Sequence, residues 1–309
     1  MSIILPSVLG PFRWNEEWIT LPEARSGQEN RRTHGVVISK DGRVFIFHQA
    51  VPSVLVYSPE GKLLDRWGDY PGAHGATLVE ENGEEFLWLV DERTTAVDKA
   101  TLSGKVVMSL ARPDHPAYRE GKYSPTWVAV NEKRFGGTGD IWLADGYGSS
   151  LVHRYDAQGR YLMTLDGENG AGRFKTPHGI AFDFRRGKGE LYVADRSHQR
   201  VQVFDGEGNF LRVFGADIFE RPNGFDFSND YLIASDLRGR ISILNGQDQL
   251  VEHLGANPAI FEQPGWPDRT PLEVGKFNSP HGLAIAPSGD IYVVEWRAGG
   301  RVIKLERVS

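Results

Sequence analysis

The chain has no cysteine among its 309 residues. Disulfides therefore contribute nothing to its stability, and any metal site must use histidine, carboxylate or other oxygen ligands. Positive charge is in the minority, with 35 Lys and Arg against 41 Asp and Glu and a formal net charge of −6. Nucleic acid and anionic membrane surfaces are thus disfavoured as partners, since both are bound through concentrated Lys and Arg. Long hydrophobic runs are missing too: no apolar stretch approaches the ~20 residues that span a bilayer. The N-terminal MSIILPSVLGPFRW has no Lys or Arg ahead of its short apolar stretch, so the charged start of a secretory signal is absent. A cytoplasmic protein is the expectation. Nicotinamide, flavin and phosphate-loop signatures are also lacking, which argues against redox and phosphoryl-transfer chemistry.

What the chain has in quantity is turn residues, 36 Gly and 17 Pro, spread evenly along its length. They punctuate a repeat. From Pro177 to Gly215 the sequence reads PHGIAFDFRRGKGELYVADRSHQRVQVFDGEGNFLRVFG. That is four short strands with alternating apolar residues, joined by Gly and polar turns. Similar phrases begin at Thr33, Gly72, Ser124, Arg221 and Ser279, making six copies. Six four-stranded antiparallel blades predict an all-β, six-bladed β-propeller over residues 1–309 as one domain. The last copy holds only three strands, so a leading segment, Glu17 to Leu21, is expected to close that blade and leave no open edge. Helix is expected only in connections such as Pro258 to Gln263. The longest connections are Pro113 to Lys122, Asp166 to Phe174 and Asn257 to Phe277, and loops of this kind carry specificity.

One residue opens the innermost strand of each copy: His34, His74, Thr126, His178, Asn223 and His281. In six equal blades, the second, fourth and sixth stand about a third of a turn apart. Their openers are His74, His178 and His281. Three imidazoles with an open fourth position suit a catalytic Zn2+, and neutral imidazole also suits other divalent transition metals. The competing reading is that a small polar residue begins each strand for turn reasons, as His34 illustrates in the first blade. The remaining histidines, His48, His115, His153, His198 and His253, fall elsewhere in their repeats and are expected to be surface or packing residues.

The second strands end in a recurring acid, at Asp91, Asp145, Asp195 and Asp236. A short carboxylate there is expected to accept backbone N–H groups of the following turn. Just beyond it stand variable residues, among them Tyr147 and Arg196. A phenol beside a cation, which lowers its pKa from the usual ~10, can serve as a general base. An arginine there can hold a carboxylate through parallel hydrogen bonds.

The phrasing of the repeats resembles the NHL repeat family over nearly the whole chain. More narrowly, GAHGAT at His74, TPHGIA at His178, SPHGLA at His281, ADGYGSS at Tyr147 and VADRSHQR at Arg196 resemble the lyase domain of the peptidylglycine α-amidating enzymes. That resemblance implies zinc on His74, His178 and His281, a catalytic Tyr147, and active-site arginines at Arg196 and Arg32, with Arg31 as the other choice in RRTHG. It implies cleavage of the C–N bond of an N-acyl α-hydroxyglycine, a small substrate carrying a carboxylate, to an amide and glyoxylate. Departures are visible. Secreted members of the family carry disulfides, so peptide-hormone processing is not the expected role here. The family Asp after the last zinc histidine is Gly282, which puts the family's structural Ca2+ in doubt. Two alternatives stay open: a lactonase-type hydrolase using oxygen ligands such as Asn223 and Glu295, and a non-catalytic scaffold with an aromatic face built from Trp14, Trp18, Trp127, Trp266 and Trp296.

Overall fold

The computed structural model describes residues 3–22, 31–228 and 230–308. Its strands form six antiparallel sheets, the six-bladed β-propeller that the repeats imply. Blades one to five have four strands each. Among the described residues helix is confined to short 3-10 turns at Pro116–Arg119, Lys133–Phe135, Arg196–His198 and Ile260–Glu262. The last of these is the turn expected within Pro258 to Gln263. No described helix is long and apolar enough to cross a membrane.

The alternation expected in the strands is not the rule in the middle of a blade. Ile141–Asp145 and Leu151–Tyr155 are buried at every position. A strand covered on both faces need not alternate: IWLA reads as a continuous apolar run, while LVHRY buries His153 and Arg154 against Thr164 and Asp140. Fourth strands such as Leu63–Trp67 are largely exposed, which leaves their leucines in view. The turn before each fourth strand places a glycine at positive φ, at Gly61, Gly104, Gly159 and Gly208, while blade five uses Asp248 at φ 60. Pairing slips beside these turns, for instance between Arg154 and Tyr155 and between Val203 and Phe204. A left-handed residue followed by a bulge closes such hairpins, and glycine adopts that conformation without a Cβ clash.

Packing groups blades two to four, Gly72–Pro222, into one compact unit and blades one, five and six into another. In the first unit, Trp88, Val128, Leu143 and Tyr155 belong to one apolar cluster and Trp127, Trp142, Phe174 and Phe204 to a second. Burying each such side chain contributes roughly 1.5–3 kcal/mol. In the second unit one cluster joins Ile241, Ile291 and Ile303 with Phe12 and Trp14, and another joins Val36, Ile46 and Tyr292 with Trp18.

Blade six corrects one expectation. Its closing strand is Phe12–Asn15, paired with Arg301–Arg307, and Ile4–Leu5 adds a fifth strand outside it. Glu17 to Leu21 is not a strand. FRWN buries Phe12 and Trp14 and leaves Arg13 exposed, which is the period-two pattern of an outer strand. Trp18 instead fills a gap, with its ring 5.0 Å from Tyr292 and 6.1 Å from Tyr57.

Candidate functional site

The repeated His-Gly dipeptide has a local explanation. Each of His34, His74, His178 and His281 is the second residue of its blade's first strand and is buried. Pairing with the second strand slips at each one, between Thr33 and Gly35, Ala73 and Ala76, Pro177 and Ile180, and Pro280 and Gly282. A slip of this kind re-aims a side chain at a strand end. The glycine that follows permits close approach of a neighbouring strand. A Cβ on Gly75 would lie 2.4 Å from the Thr126 carbonyl oxygen, and one on Gly282 would lie 2.5 Å from that of His34.

The same close approach orients the ring. His74 Nδ1 lies 2.8 Å from Thr126 O, and His281 Nδ1 lies 2.9 Å from His34 O. A carbonyl can only accept, so Nδ1 carries the proton in both rings and Nε2 keeps its lone pair. That is the tautomer and second-ring contact typical of an imidazole metal ligand.

Asp91, Asp145 and Asp236 accept N–H groups of the turn that follows, as expected, from Arg93 and Thr94, from Ser149 and from Arg238, and two of the recurring acids also serve the histidines. Asp91 accepts from Gly72 N at 2.8 Å, and Asp195 accepts from Lys175 N at 2.7 Å. Each tie fixes the chain just ahead of a first-strand histidine. Glu295 does the same in blade six, accepting from Asn278 N and Ser279 N and pairing with Arg301. Glu295 is not the free oxygen ligand that a lactonase-type site needs, because its carboxylate is fully buried and engaged with the backbone and Arg301.

In the Gly72–Pro222 unit, four of the expected site residues meet. Tyr147 Oη lies 3.2 Å from His74 Nε2 and 3.1 Å from His178 Nε2, and Arg196 Nη1 donates to it at 3.2 Å. The two imidazole rings are 4.7 Å apart, and the Arg196 guanidinium sits 5.2 Å from the centre of the Tyr147 ring. Tyr147 has one proton to give, so it donates to one imidazole at a time while Arg196 donates to its oxygen.

The turn that carries Tyr147 rests on Asp145, one of the recurring acids, and Asp145 in turn meets groups that no motif marks. Asp145 accepts from Ser124 N at 2.6 Å, Ser149 N at 2.7 Å and Tyr118 Oη at 2.8 Å. Tyr118 Oη is also 2.5 Å from His153 Nε2, whose other nitrogen meets Thr164 Oγ1 at 2.8 Å. Asp195, Asp236 and Glu295 each pair with an arginine, Arg200, Arg240 and Arg301. For Asp145 the neighbours are a phenol and backbone N–H groups, and burial pushes its carboxyl up against the pull of those hydrogen bonds. Burial, with His115 nearby, pushes His153 down to about 3. His153 is thus a neutral packing residue, as expected. Its role beneath Tyr147 had no sequence signal except an insertion, Pro113 to Lys122, that delivers Tyr118.

The second unit holds His281, His34 and Arg32. The rings of His34 and His281 are 4.6 Å apart. Arg32 Nη2 donates to Asp268 at 2.6 Å, and the guanidinium lies 4.3 Å above the Trp296 ring. Arg32, expected to await a substrate carboxylate, already holds one from its own chain. Trp14, Trp18 and Trp127 are buried in apolar clusters and supply no aromatic face.

Residues 174–204 match the NHL repeat. Human NHL repeat-containing protein 3 is 29% identical over 255 residues, covering 75% of this chain and 69% of the human protein. A Caenorhabditis elegans protein described as a probable peptidyl-alpha-hydroxyglycine alpha-amidating lyase is 27% identical over 225 residues, covering 62% of this chain and 60% of its own. Among solved structures, a gluconolactonase from Xanthomonas campestris superposes with a TM-score of 0.66 at 13% identity, covering 99% of this chain and 97% of its own. At that identity the superposition speaks to the fold alone.

Proposed function

We propose that this NHL-repeat propeller is a metal-dependent lyase that cleaves the C–N bond of an N-acyl α-hydroxyglycine, or a similar hemiaminal, giving an amide and glyoxylate. The observation that carries the reading is the convergence of two imidazole Nε2 atoms and Arg196 on the Tyr147 hydroxyl within 3.2 Å. The similarity to a probable amidating lyase supports it independently.

The donor set fits a divalent transition metal, because the carbonyl-held Nδ1–H of His74 leaves its Nε2 lone pair exposed to the site. His74 and His178 are the ligands we assign, with His281 as the third on the repeat argument. A bound metal of this kind supplies Lewis acidity to a substrate hydroxyl oxygen. Tyr147 relays the proton: its phenol gives its own proton to the departing nitrogen as its oxygen takes the one from the substrate hydroxyl, while the C–N bond breaks. The electron pair of the former O–H bond becomes the new C=O bond, so no external nucleophile or oxidant is consumed. Arg196 holds the Tyr147 oxygen in place and stabilises the negative charge that develops there during the transfer. A carboxylate on the substrate is oriented by Arg196, which fixes the carbon whose bond breaks, and Arg32 is the second arginine we assign, on the family resemblance alone.

The test is glyoxylate release from an N-acyl α-hydroxyglycine, followed with purified chain and with the Tyr147→Phe variant. Release by the parent that drops sharply in the variant supports the reading. No release by metal-loaded parent would return the propeller to the class of binding scaffolds.

A further inference from the structure

The insertion between blades five and six, residues 257–277, brings a carboxylate to Arg32. Asp268 Oδ2 accepts from Arg32 Nη2 at 2.6 Å, and Oδ1 accepts from Ala298 N at 2.8 Å. Arg297 Nη2 donates to the Asp268 backbone carbonyl at 3.0 Å, so a second guanidinium flanks the first. Arg32 is itself fixed from behind. Its guanidinium stacks on Trp296 at 4.3 Å and its Nη1 donates to Trp296 O at 3.4 Å. Trp296 is in turn neighboured by Trp266, whose Nε1 donates to Asn278 O at 3.1 Å.

A stacked guanidinium beside a backbone N–H is a seat for a carboxylate. The two partners are held unequally. The Arg32 side chain is 17% exposed and that of Asp268 is 33% exposed, so solvent reaches the pair from the acid's side. Arg32 is pinned by Trp296, whereas Asp268 rides on an insertion. An ion pair this open to water contributes little to folding, so stability alone gives little reason for it. Arg32 also stands two residues before His34, at the strand end where the buried histidines of this unit lie. Burial opposes ionisation of Asp268, but the Arg32 hydrogen bond, the Ala298 N–H and the nearby guanidinium charges outweigh it and hold the carboxyl below its usual range.

We infer that the Arg32 seat takes the carboxylate of a small organic acid, and that Asp268 is the specificity-determining residue such a ligand must displace. The inference rests on the proposed function only in expecting a carboxylate on the ligand, and it does not require the metal or the lyase step. Asp268 then acts as a tethered competitor. It lowers the apparent affinity for every carboxylate by the fraction of time the seat is filled, and only ligands with further contacts overcome it.

The experiment is a glycolate titration of the full chain, read by tryptophan fluorescence and by calorimetry, with Asp268→Asn, Asp268→Ser, Arg32→Gln and the double variant Asp268→Asn with Arg32→Gln. Removing the competing charge should tighten glycolate binding about tenfold, the gain expected if the seat is open one-tenth of the time. Either Asp268 variant suffices if the other fails to fold. In the double variant the gain should vanish. Unchanged affinity in the folded Asp268 variants, or a gain that survives Arg32→Gln, would overturn the inference. Glyoxylate release is measured on the same samples, so a missing lyase activity is read separately from a missing carboxylate seat.

Discussion

Arg196 and Arg32 were expected to play one part, and their surroundings give them two. Arg196 directly follows a second strand, and its guanidinium rests on a phenol that also meets two imidazoles. Arg32 directly precedes a first strand, and its guanidinium is matched by the Asp268 carboxylate. The repeat brings each residue to the mouth end of its blade. Arg196 meets Tyr147, itself a residue that follows a recurring acid of the repeat, whereas Arg32 meets Asp268, which an insertion delivers.

The largest expected effect falls on the phenol side of that comparison. Tyr147→Phe keeps the ring and removes the proton carrier, so turnover should fall by roughly 10²–10⁴-fold with glyoxylate release as the readout. A loss below tenfold would break the assignment. The arginines should then separate. Arg196→Gln removes a charge-assisted contact to the reacting oxygen worth about 1.5–3 kcal/mol, a loss of roughly ten- to a hundredfold in kcat/KM. Arg32→Gln should cost less, because Asp268 already occupies that guanidinium for part of the time. Equal losses in steady-state kinetics would erase the distinction between the two.

A smaller effect is expected beneath Tyr147. His153 is neutral when folded because burial pushes it from 6.5 down to about 3. The unfolded chain therefore binds a proton that the folded chain refuses as pH falls from 6.5 towards 3, and stability drops across that window. Above pH 6.5 the residue makes no difference. His153→Gln cannot protonate, so its unfolding free energy, measured by denaturant titration, should fall less steeply over the same range. The smallest effect concerns the turns. Asp248 adopts φ 60 where four sister turns use glycine, so Asp248→Gly should raise stability by about 1 kcal/mol or less in thermal unfolding.

Much of this was legible in the chain because repetition multiplies weak signals. One PHG is a turn, but four His-Gly dipeptides at equivalent strand starts mark a shared geometry, and the glycine proves to be demanded by the approach of the Thr126 and His34 carbonyls. Tyr147 and Arg196 were readable for the same reason, as the varying residues after a constant acid. The closing strand was misplaced because Trp18 and Ile19 in Glu17 to Leu21 are as apolar as Phe12 and Trp14, and only the exposed Arg13 between the latter marks a one-sided strand. Glu295 was misread because it is one methylene longer than its sister aspartates. Asp268, Tyr118 and His153 carry no repeat signal, and their partners are 236, 27 and 35 residues away in the chain. Contacts of that range follow from how insertions fold back, which a residue pattern does not encode.

Metal content reaches the core of the proposal most directly. Elemental mass spectrometry of the purified chain should find close to one transition-metal ion per chain, and the His74→Ala, His178→Ala and His281→Ala variants should each lose it while keeping the parent's circular dichroism. Full metal content in any folded variant, or no metal in the parent after soaking with zinc, would contradict it.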